Sequence, residues 1–488
     1  MKGQIPEVKI DHNIRQTAVG WIRRHFRRQA ARGNKFEEMT AIMKEERLKR
    51  ERTGKLLVEL AIPAICAQIV TLLYSTVDRF YIGRMENGTM AMAGIGLCVP
   101  ITMMLTGISA LFGQGGAPLA AISLGKEDRR EAEQFMGNSF MGLILFSAAV
   151  MVTVLIFAEP ILVLFGASEN TLPYAKDYLT IYLYGTLFVQ ITVGMNYFIT
   201  TQGFAKTAMA ATMLGAVLNV VLDPVLMFQI DMGIRGAALA TVLSQLVSCL
   251  FVLRFLTGKR TGLRLHLKDL KLRKGTFAKI LALGASPFFM PVSEGVMQIC
   301  FNMQMLKYGG DLAVSAMTIL FSLFQFINLP LTGIAQGSQP IVSYNFGAGN
   351  YGRVRETMKY AASACIFVSF CGTALMLLFP AAFISLFNSD PDLVAMGAPM
   401  LRVYISGSFF IGAYMLYQQT YTALGEGRLT FLFAFLRKIV LMIPLLYLLP
   451  VVFPWGVLGV ALAEPVTDLA VTLGNKICFS HFMKKRLK

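Results

Sequence analysis

Charge is scarce in this chain. Only 15% of its 488 residues are Asp, Glu, Lys or Arg, against roughly a quarter in a soluble domain, which excludes an ordinary globular protein in water. Histidine is scarcer still. His12, His25, His266 and His481 lie outside or at the ends of apolar runs and do not cluster, so the sequence assembles no nucleophile–base constellation, and a membrane enzyme is not expected. No G-x-x-x-x-G-K-[ST] loop occurs, which argues against an ATP-driven pump. The seven cysteines (Cys66, Cys98, Cys249, Cys300, Cys365, Cys371, Cys478) have no CxxC spacing and sit in or beside apolar runs; they read as small buried hydrophobes rather than ligands or bridges. Residues 1–55 lack the apolar stretch of a signal peptide, so no cleaved leader is expected.

What is abundant is apolar: 55% of residues are hydrophobic and the mean hydropathy is +0.58. A helix needs about 20 apolar residues to cross a bilayer. Runs of that length fall near 56–83, 90–124, 134–165, 174–200, 207–229, 234–257, 278–306, 312–342, 357–387, 393–424, 429–453 and 455–482. The expected fold is therefore an all-α polytopic membrane protein with twelve transmembrane helices. The 45 basic residues outnumber the 28 acidic ones, for a net charge of +17. In a soluble protein that would suggest nucleic acid; here it reports topology, because Lys and Arg gather on the cytoplasmic side. If the N-terminus is inside, the inner segments hold 33 of the 45, whereas the outer loops hold only Arg84, Lys176, Arg235 and Lys307. Both termini are thus expected in the cytoplasm and the chain in the cell membrane, with lipid as a partner, no nucleic acid, and a monomeric state.

The chain also repeats itself. Leu105-Thr-Gly-Ile108 recurs as Leu331-Thr-Gly-Ile334. At an offset of 222, Pro118 matches Pro340, Gly125 matches Gly347, Tyr182 matches Tyr404, Gly185 matches Gly407, Phe188 matches Phe410 and Gly203 matches Gly425. Gly233-Ile-Arg-Gly-Ala-Ala-Leu-Ala matches Gly456-Val-Leu-Gly-Val-Ala-Leu-Ala one residue further along. Six spans separate the copies, so the two six-helix lobes face the same way, as parallel repeats about an axis along the membrane normal. The expected organisation is a basic extension (1–55), an N-lobe (56–257), a basic linker (258–277), a C-lobe (278–483) and a basic tail (484–488). A cleft between lobes that opens alternately to each side is the expected substrate route. Proline inside spans (Pro63, Pro118, Pro224, Pro287, Pro291, Pro330, Pro340) suits bent helices lining it.

Ionisable groups inside spans mark function by default. Asp78 lies late in span 1. Asn219 and Asp223 lie at i,i+4 in span 5 and share a helical face. Pro224 follows, which predicts a departure from helical geometry at Asp223. Thr241 in span 6 adds a hydroxyl. Together these form an all-oxygen set suited to a proton or a hard cation such as Na⁺. The second copy has aliphatic residues where Asn219 and Asp223 map, near Met442 and Leu445, so the set belongs to the N-lobe alone. The plainer alternative is that Asp223 simply bonds a neighbouring helix. In the C-lobe, Glu294 is a secondary candidate for a cation or a cationic substrate, while Arg437, Lys438, Glu464 and Asp468 read as an internal ion-pair cluster. The 28 Met and 36 Phe residues offer adaptable walls for hydrophobic ligands.

From about residue 55 to 480 the chain resembles the multidrug and toxic compound extrusion (MATE) family, its bacterial drug-efflux branch in particular. The motifs are Asp78 with Phe80-Tyr81-Ile82-Gly83, Gly115-Gly116 through Pro118 to Leu124-Gly125, Asn219-Val-Val-Leu-Asp223-Pro224, and Gln339-Pro340 through Asn345-Phe346-Gly347-Ala348. The resemblance implies a V-shaped antiporter that exports cationic or hydrophobic small molecules in exchange for H⁺ or Na⁺, with no cofactor. It also implies an N-lobe coupling site at Asp78, Asn219, Asp223, Thr241, Asn196 and Tyr178, and a functional bend at Pro63. A lipid-linked precursor or polysaccharide flippase of the same superfamily is the alternative; it would call for extra spans and a cationic cleft.

Residues 1–55 fall outside the resemblance. Ile14, Ala18, Trp21, Ile22 and Phe26 recur at helical spacing among Arg15, Arg23, Arg24, Arg27 and Arg28, a pattern for an interfacial helix on anionic lipid. A flexible tail, or a start at Met39 or Met43, reads the same residues differently.

Overall fold

A computed structural model describes Met43 and residues 46–388, 390–453 and 455–486. The interfacial helix expected between Ile14 and Arg28 lies outside them. Among the described residues the regular elements are all helical, the only way an open chain satisfies its backbone polar groups in lipid.

Among the described residues, ten helices are long and apolar enough to span a membrane. One of them, Lys274–Gly347, runs 74 residues but breaks at Gly310, which has φ 65° and ψ −162°, so it is two spans. Another span is a pair, Pro391–Ile405 and Ser408–Ala423, bent by 44°. Counted this way there are twelve: α1 (Thr53–Gly83), α2 (Gly88–Gly125), α3 (Arg129–Ile156), α4 (Leu172–Thr201), α5 (Ala205–Pro224, continuing as a π-helical turn Val225–Gln229), α6 (Gly233–Thr257), α7 and α8 (before and after Gly310 in Lys274–Gly347), α9 (Tyr351–Leu378), α10 (the bent pair), α11 (Gly427–Val452) and α12 (Val457–Arg486).

The repeat is written in the backbone. Left-handed residues recur in register: Glu127 (φ 64°) with Gly349 (φ 73°), Gly203 (φ 83°) with Gly425 (φ 77°), and Gly233 (φ 53°) with Gly456 (φ 56°). Each reverses the chain between spans, where a side chain other than glycine is disfavoured; Glu127 tolerates it beside Asp128, whose carboxylate caps α3 by accepting from Glu131 N at 2.9 Å.

The two halves meet through glycine. Gly115 of α2 packs on Gly284 of α7, and Gly333 and Gly337 of α8 pack on Ile65 and Ala61 of α1. At one end α2 and α8 cross so closely that a Cβ on Gly347 would stand 2.0 Å from the Ile122 carbonyl oxygen, and one on Gly125 would stand 2.0 Å from that of Tyr344. Small residues permit such approach where lipid removes the hydrophobic drive between helices. Gly347→Ala is expected to destabilise by about 1–3 kcal/mol through overpacking, read as a lowered unfolding midpoint in detergent. Gly352→Ala, with nothing within 4 Å of its would-be Cβ, is the neutral control.

Two segments outside the spans fasten this end. The short helix before α1 is capped by the second half: Arg353 donates to the Leu48 and Glu51 carbonyls at 3.2 and 2.6 Å, and Asn345 donates to Leu48 O at 3.0 Å. Within it, the Arg47 guanidinium, aided by Lys55, holds the Glu51 carboxyl down to about 2; Arg47 also pairs with Glu59. The segment before α7 is fastened to the first half, where Asn138 of α3 donates to Lys271 O at 3.3 Å and accepts from Arg273 N at 2.8 Å. Each half therefore wears the leader of the other. Toward the opposite end, the α1–α8 contact runs to a Gln68–Gln336 bond of 3.4 Å. Beyond it Thr76, Arg79 and Gln325 are exposed.

Candidate functional site

In the first half, α1 and α5 run together and bring their C-terminal ends into contact, where the Tyr81 and Phe228 rings lie 6.4 Å apart. One turn earlier on each helix stand Asp78 and Asp223. Asn219 joins the set, donating to Asp223 Oδ1 at 3.1 Å and to Thr241 Oγ1 at 3.4 Å. Asp223 is fully buried and Asn219 nearly so. Three acceptor oxygens remain buried with no hydrogen-bond partner: Asp78 Oδ1, Asn219 Oδ1 and Asp223 Oδ2. A buried acceptor left unmade is costly; a proton on a carboxylate, or a bound cation, relieves that cost for the oxygens it reaches.

Asp223 corrects one expectation. It stays helical, and the chain absorbs Pro224 by widening into the π-helical turn that follows. Proline removes one amide donor and crowds the preceding turn; a wider turn relieves both without unwinding the helix.

The expected coupling site also includes Tyr178 and Asn196. Tyr178 is buried and stacks on Tyr182, with ring centroids 5.9 Å apart. Asn196 donates to Ala208 O at 3.0 Å and Thr212 Oγ1 at 3.4 Å. Those partners precede Asn219 by two to three turns of α5, about 10 Å or more along the axis, so Asn196 does not bond the carboxylate set. It lines a cavity of about 410 Å³ bounded by α1, α2, α4, α5 and α6, which reaches Gln336 and Gln339 of α8. Pro63 lies in the wall of the same cavity. Its amides, among them Gln68, Gln190 and Gln245, escaped a reading that counted only ionisable groups; uncharged amides repeated inside apolar spans were the available signal.

The second half holds a different arrangement. Arg437 donates to Asp468 at 2.7 Å and Glu464 at 2.7 Å, and Lys438 donates to Glu294 at 2.6 Å. Glu294 is thus not an open cation ligand, because a lysine already neutralises it. Arg437 and Lys438 are both buried within a π-helical segment, Leu436–Met442. Among the described residues no group of three or more His, Cys, Asp and Glu is placed to hold a metal.

The model of the MatE family matches residues 63–225 and 288–448, one block in each half. The chain belongs to the MatE family. It is accordingly a membrane transporter and not an enzyme. It is similar to the multidrug export protein MepA of Staphylococcus haemolyticus (strain JCSC1435), 28% identical over 422 residues that cover 86% of this chain and 92% of that one. It is 27% identical to MepA of Staphylococcus aureus (strain MSSA476) over 440 residues, 88% and 96% of the two chains. Its fold matches that of a MOP superfamily transporter from Pyrococcus furiosus with a TM-score of 0.84 at 22% identity, over 91% of this chain and 98% of that one.

Proposed function

We propose that this MatE member is a multidrug efflux transporter of the cell membrane, with both termini cytoplasmic, that exports cationic or amphipathic compounds in exchange for H⁺ or Na⁺ by alternating access. The observation that carries the coupling site is the trio of unpartnered oxygens on Asp78, Asn219 and Asp223, present in one half of a duplicated body. Cation entry neutralises the carboxylates and favours one arrangement of α1 against α5; cargo favours the other. Exchange requires this difference, since a ligand with equal affinity for both states shifts nothing. MepA being a multidrug exporter supports the cargo class. A flippase for pyrophosphate-linked precursors is disfavoured, because the walls of the cavity carry no basic side chain.

The test is uptake into inverted membrane vesicles of two fluorescent probes, cationic ethidium and uncharged acridone, with H⁺ and Na⁺ gradients imposed separately. Accumulation of either probe under either gradient, lost when the gradient is collapsed, is the expected result. No gradient-dependent movement of either probe would overturn the reading.

A further inference from the structure

The last turns of α12 are basic. After Asp468 this helix carries Lys476, His481, Lys484, Lys485 and Arg486, and no acidic residue. Both α9 and α12 pack on Ser408–Ala423, the second helix of α10. Where α9 begins and α12 ends, an open groove of about 390 Å³ lies between them. Its walls are Arg355 and Met358 of α9 with Phe479, Ser480, Met483 and Lys484 of α12. Glu356, next to Arg355 in sequence, does not line it.

The groove is charged at its rim and apolar within. Arg355, Ser480 and Lys484 are exposed, so each helix contributes one cation. Met358 and Phe479 are buried in the same apolar cluster, and the Phe479 ring lies 4.5 Å from that of Tyr417. Steps of three and four residues keep to one helical face. Along α9 they lead from Met358 to Ala362 and Ile366, and along α12 from Ser480 to Ile477 and Leu473. Ile366, Ile477 and Leu473 are all exposed, so both walls continue as apolar surface toward the middle of the spans.

An exposed apolar span surface alone calls for nothing more than lipid chains. Two cations from separate helices above an apolar slot call for an amphiphile with an anionic head. The helix dipole favours Lys484 at the C-terminal end of α12, but it does not favour Arg355 near the N-terminal end of α9. Methionine walls adapt to flexible chains, and basic pockets between spans suit anionic headgroups. We propose that this groove holds one anionic phospholipid, its phosphate between Arg355 and Lys484 and an acyl chain laid over Met358, Phe479 and Met483. The residues before Met43 are net basic, so they do not complement the rim. In the topology proposed above the lipid belongs to the cytoplasmic leaflet; the site itself does not depend on that topology. Arg353, two residues before Arg355, fastens the Leu48 and Glu51 carbonyls, so the lipid sits against the turn of α9 that holds the leader helix.

The experiment is native mass spectrometry of the full-length protein in a non-ionic detergent. It is titrated with dioleoyl-phosphatidylglycerol, or with dioleoyl-phosphatidylcholine, which has the same chains and no net charge. One phosphatidylglycerol is expected to bind about tenfold tighter than phosphatidylcholine. Arg355→Gln with Lys484→Gln is expected to weaken phosphatidylglycerol by about tenfold or more, since one basic residue near anionic lipid is worth roughly fivefold. The same pair leaves phosphatidylcholine unchanged. Arg355→Lys with Lys484→Arg keeps the preference, and so does Lys268→Gln with Lys274→Gln, which removes two exposed basic residues elsewhere. If the first pair unfolds, Lys484→Gln alone, in the exposed last turn, is read for a roughly fivefold loss. Equal binding of the two lipids, equal weakening by the two glutamine pairs, or displacement of the lipid by soluble glycerol 3-phosphate would each overturn the proposal. No transport is measured, so its failure leaves the efflux reading standing, and the failure of that reading leaves the groove.

Discussion

Asp223→Asn and Asp78→Asn are each expected to cut gradient-driven uptake in proteoliposomes by more than about tenfold, within the span of ordinary coupling energies, while gradient-free exchange of cargo persists. The amide keeps the shape of the carboxylate, so the packing around a fully buried Asp223 survives the change. What it loses is the negative charge that makes a proton or Na⁺ welcome there. Asn219 already donates to Asp223 Oδ1 and to Thr241, which leaves Asp223 Oδ2 and Asp78 Oδ1 as the atoms with capacity to spare. Undiminished uptake in both variants would move the engine elsewhere in the molecule. A loss confined to one gradient would name the ion.

The second large effect belongs to the opposite half and concerns folding. Arg437 is 5% exposed and binds Glu464 and Asp468, themselves 6% and 1% exposed. Arg437→Leu strands two buried carboxylates, and breaking a buried ion pair from one side costs about 3–5 kcal/mol. For a chain of 488 residues that corresponds to a fall of roughly 3–5 °C in the unfolding midpoint. Removing all three charges together, as Arg437→Leu with Glu464→Leu and Asp468→Leu, is expected to restore most of it, since an apolar replacement of a whole buried network is often neutral. Thermal unfolding of the single and triple variants in detergent checks both. If the single variant were as stable as the parent, the network would carry no structural weight.

The architecture was legible because the signals that set it are local. Each span announces itself as an apolar run, and the duplication shows in glycines whose reason is now visible: Gly203 and Gly425 turn the chain through the left-handed region, and Gly125 and Gly347 let two helices cross. Asp78, Asn219 and Asp223 stood out because charge in lipid is rare. Pairings across the body were not legible. Glu294 looked available until Lys438, 144 residues away, was seen beside it. The fastening of Leu48 by Asn345 spans 297 residues, and no periodicity foretells it. The departure at Asp223 followed from a rule about single residues, whereas a helix of this length had room to spread the strain into a π-helical turn.

The leader segments carry one more meaning. Each half holds the N-terminal leader of its twin, Leu48 by Asn345 and Arg353, Lys271 and Arg273 by Asn138. Were the connection between Thr257 and Lys274 severed, what remained would have the geometry of a homodimer that exchanges its arms, the low-cost route by which identical subunits lock together. In that arrangement neither subunit finishes itself: a lone one presents an uncovered amide at Asn138, or uncovered donors at Asn345 and Arg353. The covalent join thus tethers two parts that already depend on each other for completion.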